Sequence, residues 1–297
     1  MAHDKAKEKK QAKEYTKRKL EALNLIDDFL FQELISQEGD GEEFARILLS
    51  TILGKRIRKV KVVAQKNILG IDTDKHGIRM DTYIEDISDE PDMELIDAEV
   101  VPDIYDVEPN NKYEKESLPK RMRYYHGLID TQLLASGVDY KRLQNVIIII
   151  ILPYDPFGKN RMVYTIRNQC LEDTTIPYDD GAKKIFLYTK GEEGNPSQEL
   201  KDMLKYIENT TQNNITNQDI ESIHKLVEKI KRKREVGINY MKSWEHDQWM
   251  RDEGRTEGQD RINELIIKLS EAGRTEDIIK SAKDRTYQEK LLEELEL

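Results

Sequence analysis

The chain has 297 residues, 36% charged and 37% hydrophobic, with a formal net charge of −10 at pH 7. One substantial domain with an extension, or two modest domains, is expected from that length, and the charge argues against a protein whose main task is to coat nucleic acid. A single cysteine, Cys170, excludes an internal disulfide and any cysteine-rich zinc site. The longest apolar run, Val146–Leu152, is far shorter than the about 20 residues that span a bilayer. The charged start, MAHDKAKEKK, has no apolar signal core, so a cytoplasmic protein with no membrane partner is expected.

In chain order, the Lys/Glu-rich residues 1–22 read as a solvent-exposed helix. "NLIDDFLFQELI" (24–35) places Leu25, Phe29, Leu30 and Leu34 near helical spacing. "EEFARILLSTILG" (42–54) is a second helix, with Gly54 suited to its C-terminal cap. The period then changes: "IRKVKVVAQKNIL", the turn-like "DTDKHG" (72–77) and "IRMDTYIED" predict a β-hairpin. An acidic, proline-containing segment at 87–103 reads as a protruding loop or a short extra strand. "IYDVE" resumes the sheet, and Pro109, which has no N–H for a ladder, marks the strand's end or an edge.

"LPKRMRYYHGLIDTQLLASG" predicts a helix from a proline-tolerant first turn to Gly137. "NVIIIIILP" is too short and too β-branched for a buried helix and reads as a central strand covered on both faces. "DPFGKN" reads as a hairpin turn into "RMVYTIRN". "AKKIFLYTK" is a further strand, and "NPSQELKDMLKYIENT" a helix capped by Ser197. After residue 217 strand signals vanish and i, i+4 charge pairs abound. The expected domains are therefore a charged segment at 1–22, an α/β domain at 23–214 and a helical extension at 215–297. That extension is expected to break near Gly254 and Gly258 and again at Gly273. The order describes an α/β sandwich with a mixed central sheet.

Charge is unevenly placed. Residues 54–66 (GKRIRKVKVVAQK) and 119–123 (PKRMR) are basic, whereas 85–108 is acidic. A metal-dependent phosphodiesterase needs an acidic centre between basic flanks, and ordinary surface patterning produces one too. Alternation along a strand puts Asp106 and Glu108 on one face and Val107 on the other. If "IRMDTY" pairs with "IYDVE", Asp81 stands beside Glu108. Two carboxylates, a carbonyl and waters suit Mg2+ or Mn2+, which lower the pKa of a bound water and stabilise charge developing on a phosphate. The blander reading is an exposed acidic face. Elsewhere, His126 reads as a packed helix residue and Cys170 as a small buried one. Tyr124, Tyr125 and Tyr140 read as core, and the five histidines show no metal spacing.

The stretches "DDFLF", "GIRMDTYIED", "IYDVEPN", "LPKRMRYYHGLID", "SGVDYKRL" and "ILPYDPFGKNRMVYT", in this order, resemble the Rpn-like recombination-promoting nuclease and transposase family of the PD-(D/E)xK superfamily. The resemblance covers residues 24–209 and continues into the helical tail. It implies a restriction-endonuclease-like core and a metal-dependent DNA endonuclease using Mg2+ or Mn2+. By it, Asp81 is the first metal-binding acid, Glu108 the acid of the E-x-Q or E-x-K pattern, and Asp28 an acid on the first core helix that assists the metal. Asn110 falls where glutamine or lysine would stand, and it can donate a hydrogen bond but carries no charge. Arg121, Arg123 and Tyr125 match the helix that would face DNA, and Lys112 is the nearest substitute cation. The alternative is a nuclease fold whose site is degenerate and which binds DNA or self-assembles, with the C-terminal helices as the seat of a homo-oligomer.

Overall fold

A six-stranded mixed sheet forms where the sequence alternates or runs apolar, and helices cover it where the period shifts to 3.6. The computed structural model describes residues 19–68, 78–87, 102–134 and 137–297. The exposed helix expected at 1–22 therefore lies mostly outside the described residues, as do the hairpin turn at 72–77 and nearly all of the acidic segment at 87–103. Within the described part, Leu20–Ala22 is a single 3-10 turn with Leu20 buried.

Helices α1 (Asp28–Ile35) and α2 (Asp40–Leu53) precede strands β1 (Val60–Ile68) and β2 (Ile78–Asp86). Gly54 adopts a left-handed conformation (φ 62°) and stops α2, which a side chain would resist. The strands β1 and β2 form the expected antiparallel hairpin, and β3 (Ile104–Pro109) joins β2 antiparallel. From β3 the sheet turns parallel: β4 (Val146–Leu152) lies beside β3, and β6 (Ala182–Tyr188) beside β4. Parallel neighbours need a long crossover, and between β3 and β4 it contains α3 (Leu118–Leu133). α3 ends four residues before Gly137, because Leu134 is already extended.

Strand β5 (Val163–Ile166) pairs antiparallel with β6 at the sheet's edge, so the order is β1-β2-β3-β4-β6-β5. "DPFGKN" is thus not a hairpin turn: β6 separates β4 from β5. Asp155 organises this loop, accepting from the N–H groups of Phe157 (3.0 Å) and Asn160 (2.6 Å) and from the Tyr164 hydroxyl (2.8 Å). All seven residues of β4 are buried, as expected of a strand covered on both faces. On one face Ile104, Val146, Ile148, Ile150 and Leu152 pack with Leu118, Met122 and Ile129 of α3.

Helices α4 (Gln198–Glu208) and α5 (Gln218–Lys231) complete this unit. The Ser197 hydroxyl caps α4 by accepting from the Leu200 N–H (3.2 Å). The division near residue 215 needs correction, since the chain parts between Val236 and Gly237. α5 packs on α1 and α2 and buries Ile220, Ile223, Val227 and Ile230 completely. Helix α6 (Arg234–Glu271) carries the chain into the second unit, where α7 (Thr275–Ser281) and α8 (Arg285–Glu294) follow. The second unit has its own small core of Leu265, Leu269 and Leu291. α6 runs unbroken through Gly254 and Gly258, each worth only about 1 kcal/mol of helix stability. The expected stop at Gly273 (φ 70°) is present.

Two smaller expectations also change. Tyr140 is 83% exposed instead of lying in the core, while Tyr124 is exposed and Tyr125 packs against the core. Cys170 is half-exposed on a surface loop, its thiol facing Glu172. Among the described residues no helix is long and apolar enough to cross a membrane.

Candidate functional site

The C-terminal end of β3 is where the chemistry-bearing residues meet. Ile104, Asp106 and Glu108 alternate onto the sheet face that α3 covers, and both acids are buried, Asp106 completely and Glu108 to 5% exposure. The antiparallel ladder with β2 runs from Glu85–Ile104 to Tyr83–Asp106. The ladder ends at that pair, two residues short of Asp81 and Glu108. The side chain of Asp81 lies outside the described residues.

Pro109 cannot donate, but the Asn110 N–H continues the line by bonding to the Ile151 carbonyl (2.8 Å). That anchor holds Asn110 in the interior at 8% exposure. Its Oδ1 accepts from the Lys112 N–H (2.9 Å), an Asx turn that redirects the chain toward α3. Its Nδ2 is buried with no partner. The Lys112 side chain is exposed.

Arg121 reaches the same place from the first turns of α3. Its Nη2 donates to Glu108 Oε2 (3.2 Å) and its Nη1 to Glu114 Oε2, so one guanidinium bridges two carboxylates. Its Nε is buried and unpartnered. One turn further on, the Tyr125 ring centroid lies 5.6 Å from the guanidinium carbon, a cation–π contact that steadies the side chain. Arg123 does not join them. Two residues are about 200° of helix, and Arg123 points away to solvent.

Glu114 went unnoticed in the sequence. The turn before α3 holds it: its N–H donates to the Tyr154 hydroxyl (3.3 Å), and its carbonyl accepts from the Leu118 N–H (3.0 Å). The only signal available was its seven-residue spacing from Arg121, about two helical turns, and that means nothing until the start of α3 is known.

Asp28 opens α1, and the segment before it is pinned from several sides. Leu25 N–H donates to Thr210 Oγ1 (2.8 Å), Ile26 N–H to the Ile207 carbonyl (3.1 Å) and Asn24 N–H to Asp27 Oδ2 (2.8 Å). Asp28 stands close enough to Glu108 to act on its charge. Burial, with the Asp28 and Glu114 carboxylates adding to it, pushes the Glu108 pKa up to about 7 against the opposing pull of Arg121. A carboxyl so reluctant to ionise is one that gains from a cation at its oxygens.

Among the described residues no group of three or more His, Cys, Asp or Glu side chains is placed to hold a metal ion. The chemistry of the donors nonetheless fits one class of ion. Glu108, with Asp28 and Glu114 around it, offers only oxygen, which suits a hard divalent cation held by one or two carboxylates and water. His126 is no ligand here: it is buried on α3 and lies 3.8 Å from Asp130.

No family model, no curated protein and no solved structure matches the chain.

Proposed function

We propose that the protein is a metal-dependent DNA endonuclease that hydrolyses phosphodiester bonds at the end of β3. One observation carries the reading: Glu108 is buried at a strand end, destabilised as an anion by Asp28 and Glu114, and tethered to an arginine that can also bind phosphate. The order helix, hairpin, third strand, crossover helix and parallel strand also agrees with the restriction-endonuclease-like core that the sequence resemblance implies.

In this reading Glu108, Asp81 and Asp28 hold Mg2+ or Mn2+, which when bound supplies an activated water and stabilises charge on the phosphate. The protein's own groups do the rest. Arg121 offers a planar fork of N–H donors to the phosphate oxygens, with the Tyr125 ring beside it. Asn110 Nδ2, a buried donor with no partner, orients the attacking water or a phosphate oxygen. Burial of Glu108 strengthens each of these interactions by excluding solvent. Arg123 and Lys120, both exposed on α3, touch the backbone of the duplex farther out.

A second reading has its own observation. Asn110 Oδ1 is already engaged in a turn, and Arg121 already neutralises Glu108, as in a site that has lost its chemistry and kept its fold. Nicking of supercoiled plasmid with Mg2+ or Mn2+, abolished by EDTA, supports the endonuclease. DNA binding without cleavage under either ion supports the degenerate module.

A further inference from the structure

Arg121 sits where a catalytic arginine would be idle. Its Nη2 occupies Glu108 Oε2 at 3.2 Å, one of the two oxygens this carboxylate has to offer a divalent cation. Its Nη1 is on Glu114, and its Nε points at nothing although it is buried. An unpartnered buried N–H is unfavourable by about 1–3 kcal/mol, so this arrangement leaves the guanidinium with a donor to satisfy elsewhere. Glu114, by contrast, is fixed through its own backbone to Tyr154 and Leu118, and Tyr154 is steadied by Tyr113, whose ring centroid is 4.9 Å away. The two anchors of Arg121 therefore differ. One is a buried acid with a second use, and the other is an acid at the mouth of the site, 34% exposed, that only holds arginine.

We infer that Arg121 is a built-in counter-ion that must leave Glu108 before a divalent cation can bind there, and that Glu114 is the positioning residue that receives it. Arg121 then keeps its bond to Glu114 and turns its free donors outward to the phosphate. This inference rests on the reading of Glu108 as a metal carboxylate. It adds that metal affinity is set by a competition between two cations for one oxygen. Removal of either partner has a defined sign. Without Arg121 the competitor is gone and the ion binds more tightly. Without Glu114, Arg121 has only Glu108 to hold and the ion binds more weakly. The second effect depends on Arg121 being present, which separates a latch from simple addition of charges.

The test is isothermal titration of the full chain with MnCl2, with thermal melts to confirm folding. Arg121→Gln should bind Mn2+ about tenfold more tightly than wild type and Glu114→Gln about fivefold more weakly, within the range expected of charge-assisted contacts. In the Arg121→Gln background, Glu114→Gln should have almost no further effect. Should Arg121→Gln fail to fold, Arg121→Lys replaces it in the cycle. Even so, a lysine keeps a cation that can bond either acid, so in that background Glu114→Gln should keep part of its effect, less than in wild type. Equal effects of Glu114→Gln with and without Arg121, or no gain from Arg121→Gln, overturn the latch alone, provided Glu108→Gln loses Mn2+ binding. If Glu108→Gln binds Mn2+ as wild type does, or wild type does not bind it, the reading of the site falls as well.

Discussion

Ending the chain after Asn214 should unfold the α/β unit, whereas ending it after Val236 should not. The first cut removes α5, whose Ile220, Ile223, Val227 and Ile230 have no exposed surface. At about 1.5–3 kcal/mol for each fully buried aliphatic side chain, the loss is roughly 6–12 kcal/mol, an upper bound because denatured chains bury part of that area. It is comparable with the about 5–15 kcal/mol that holds a whole domain together. The cut also removes Lys231, whose ammonium donates to the Glu21 and Leu23 carbonyls (2.9 and 2.8 Å), and the Lys229–Asp40 pair (2.6 Å). These contacts fix the approach to α1 and hence Asp28. Circular-dichroism melts of the two fragments decide the matter. The chain 1–236 should melt cooperatively, and the chain 1–214 should show no cooperative transition. A fragment 1–214 that melts within a few degrees of 1–236 would refute the placement of α5 in the core.

Two further outcomes follow from buried polar groups. Burial first, and Lys184 second, push the His126 pKa down to about 4 against an opposing contribution from Asp180, so the folded state holds it neutral. The unfolded chain takes up that proton as pH falls through 6.5, and stability present above that pH is lost on the way down to 4. The loss is about 2 kcal/mol between pH 7.5 and pH 5, read from urea midpoints, and His126→Leu should flatten that part of the profile. An unchanged slope would show that His126 is not held neutral. Asn110→Ala should lower the nicking rate about 10- to 100-fold if Nδ2 orients water or phosphate. Asn110→Lys should preserve or raise the rate by restoring a cation. If both variants cut like wild type, Asn110 serves only the turn with Lys112.

Much of the fold could be read because local pattern and tertiary environment agree. The apolar run of β4 has one physical use, a strand covered on both faces. The alternation of β1 and β2 marks a hairpin, and the two strands pair antiparallel from Val60–Asp86 to Ile68–Ile78. The misread places are those where a local signal is weak beside its surroundings. Two glycines do not break a helix of 38 residues that also carries i, i+4 pairs such as Glu264–Lys268. The change of composition near residue 215 falls between α4 and α5, before the first unit ends at Val236. "DPFGKN" has turn chemistry, but only the insertion of β6 between β4 and β5 shows that the turn closes no hairpin. In the site, Glu108 and Asp106 follow from strand alternation, while the matching of Arg121 and Asp28 came from the family resemblance. Glu114 was invisible because it lies in the turn before α3, seven residues from Arg121, and helical phase turns Arg123 outward, away from that cluster.

The central claim is that Glu108 at the end of β3 is the essential metal-binding acid of a DNA-cleaving site. The most direct measurement is the nicking rate of supercoiled plasmid by wild type and Glu108→Ala at one concentration of Mg2+ and one of salt, with melts to show that both are folded. The account predicts cleavage by wild type that EDTA abolishes, and none above background by Glu108→Ala. Cleavage that survives Glu108→Ala, or a folded wild type inert with every divalent ion tried, would contradict it.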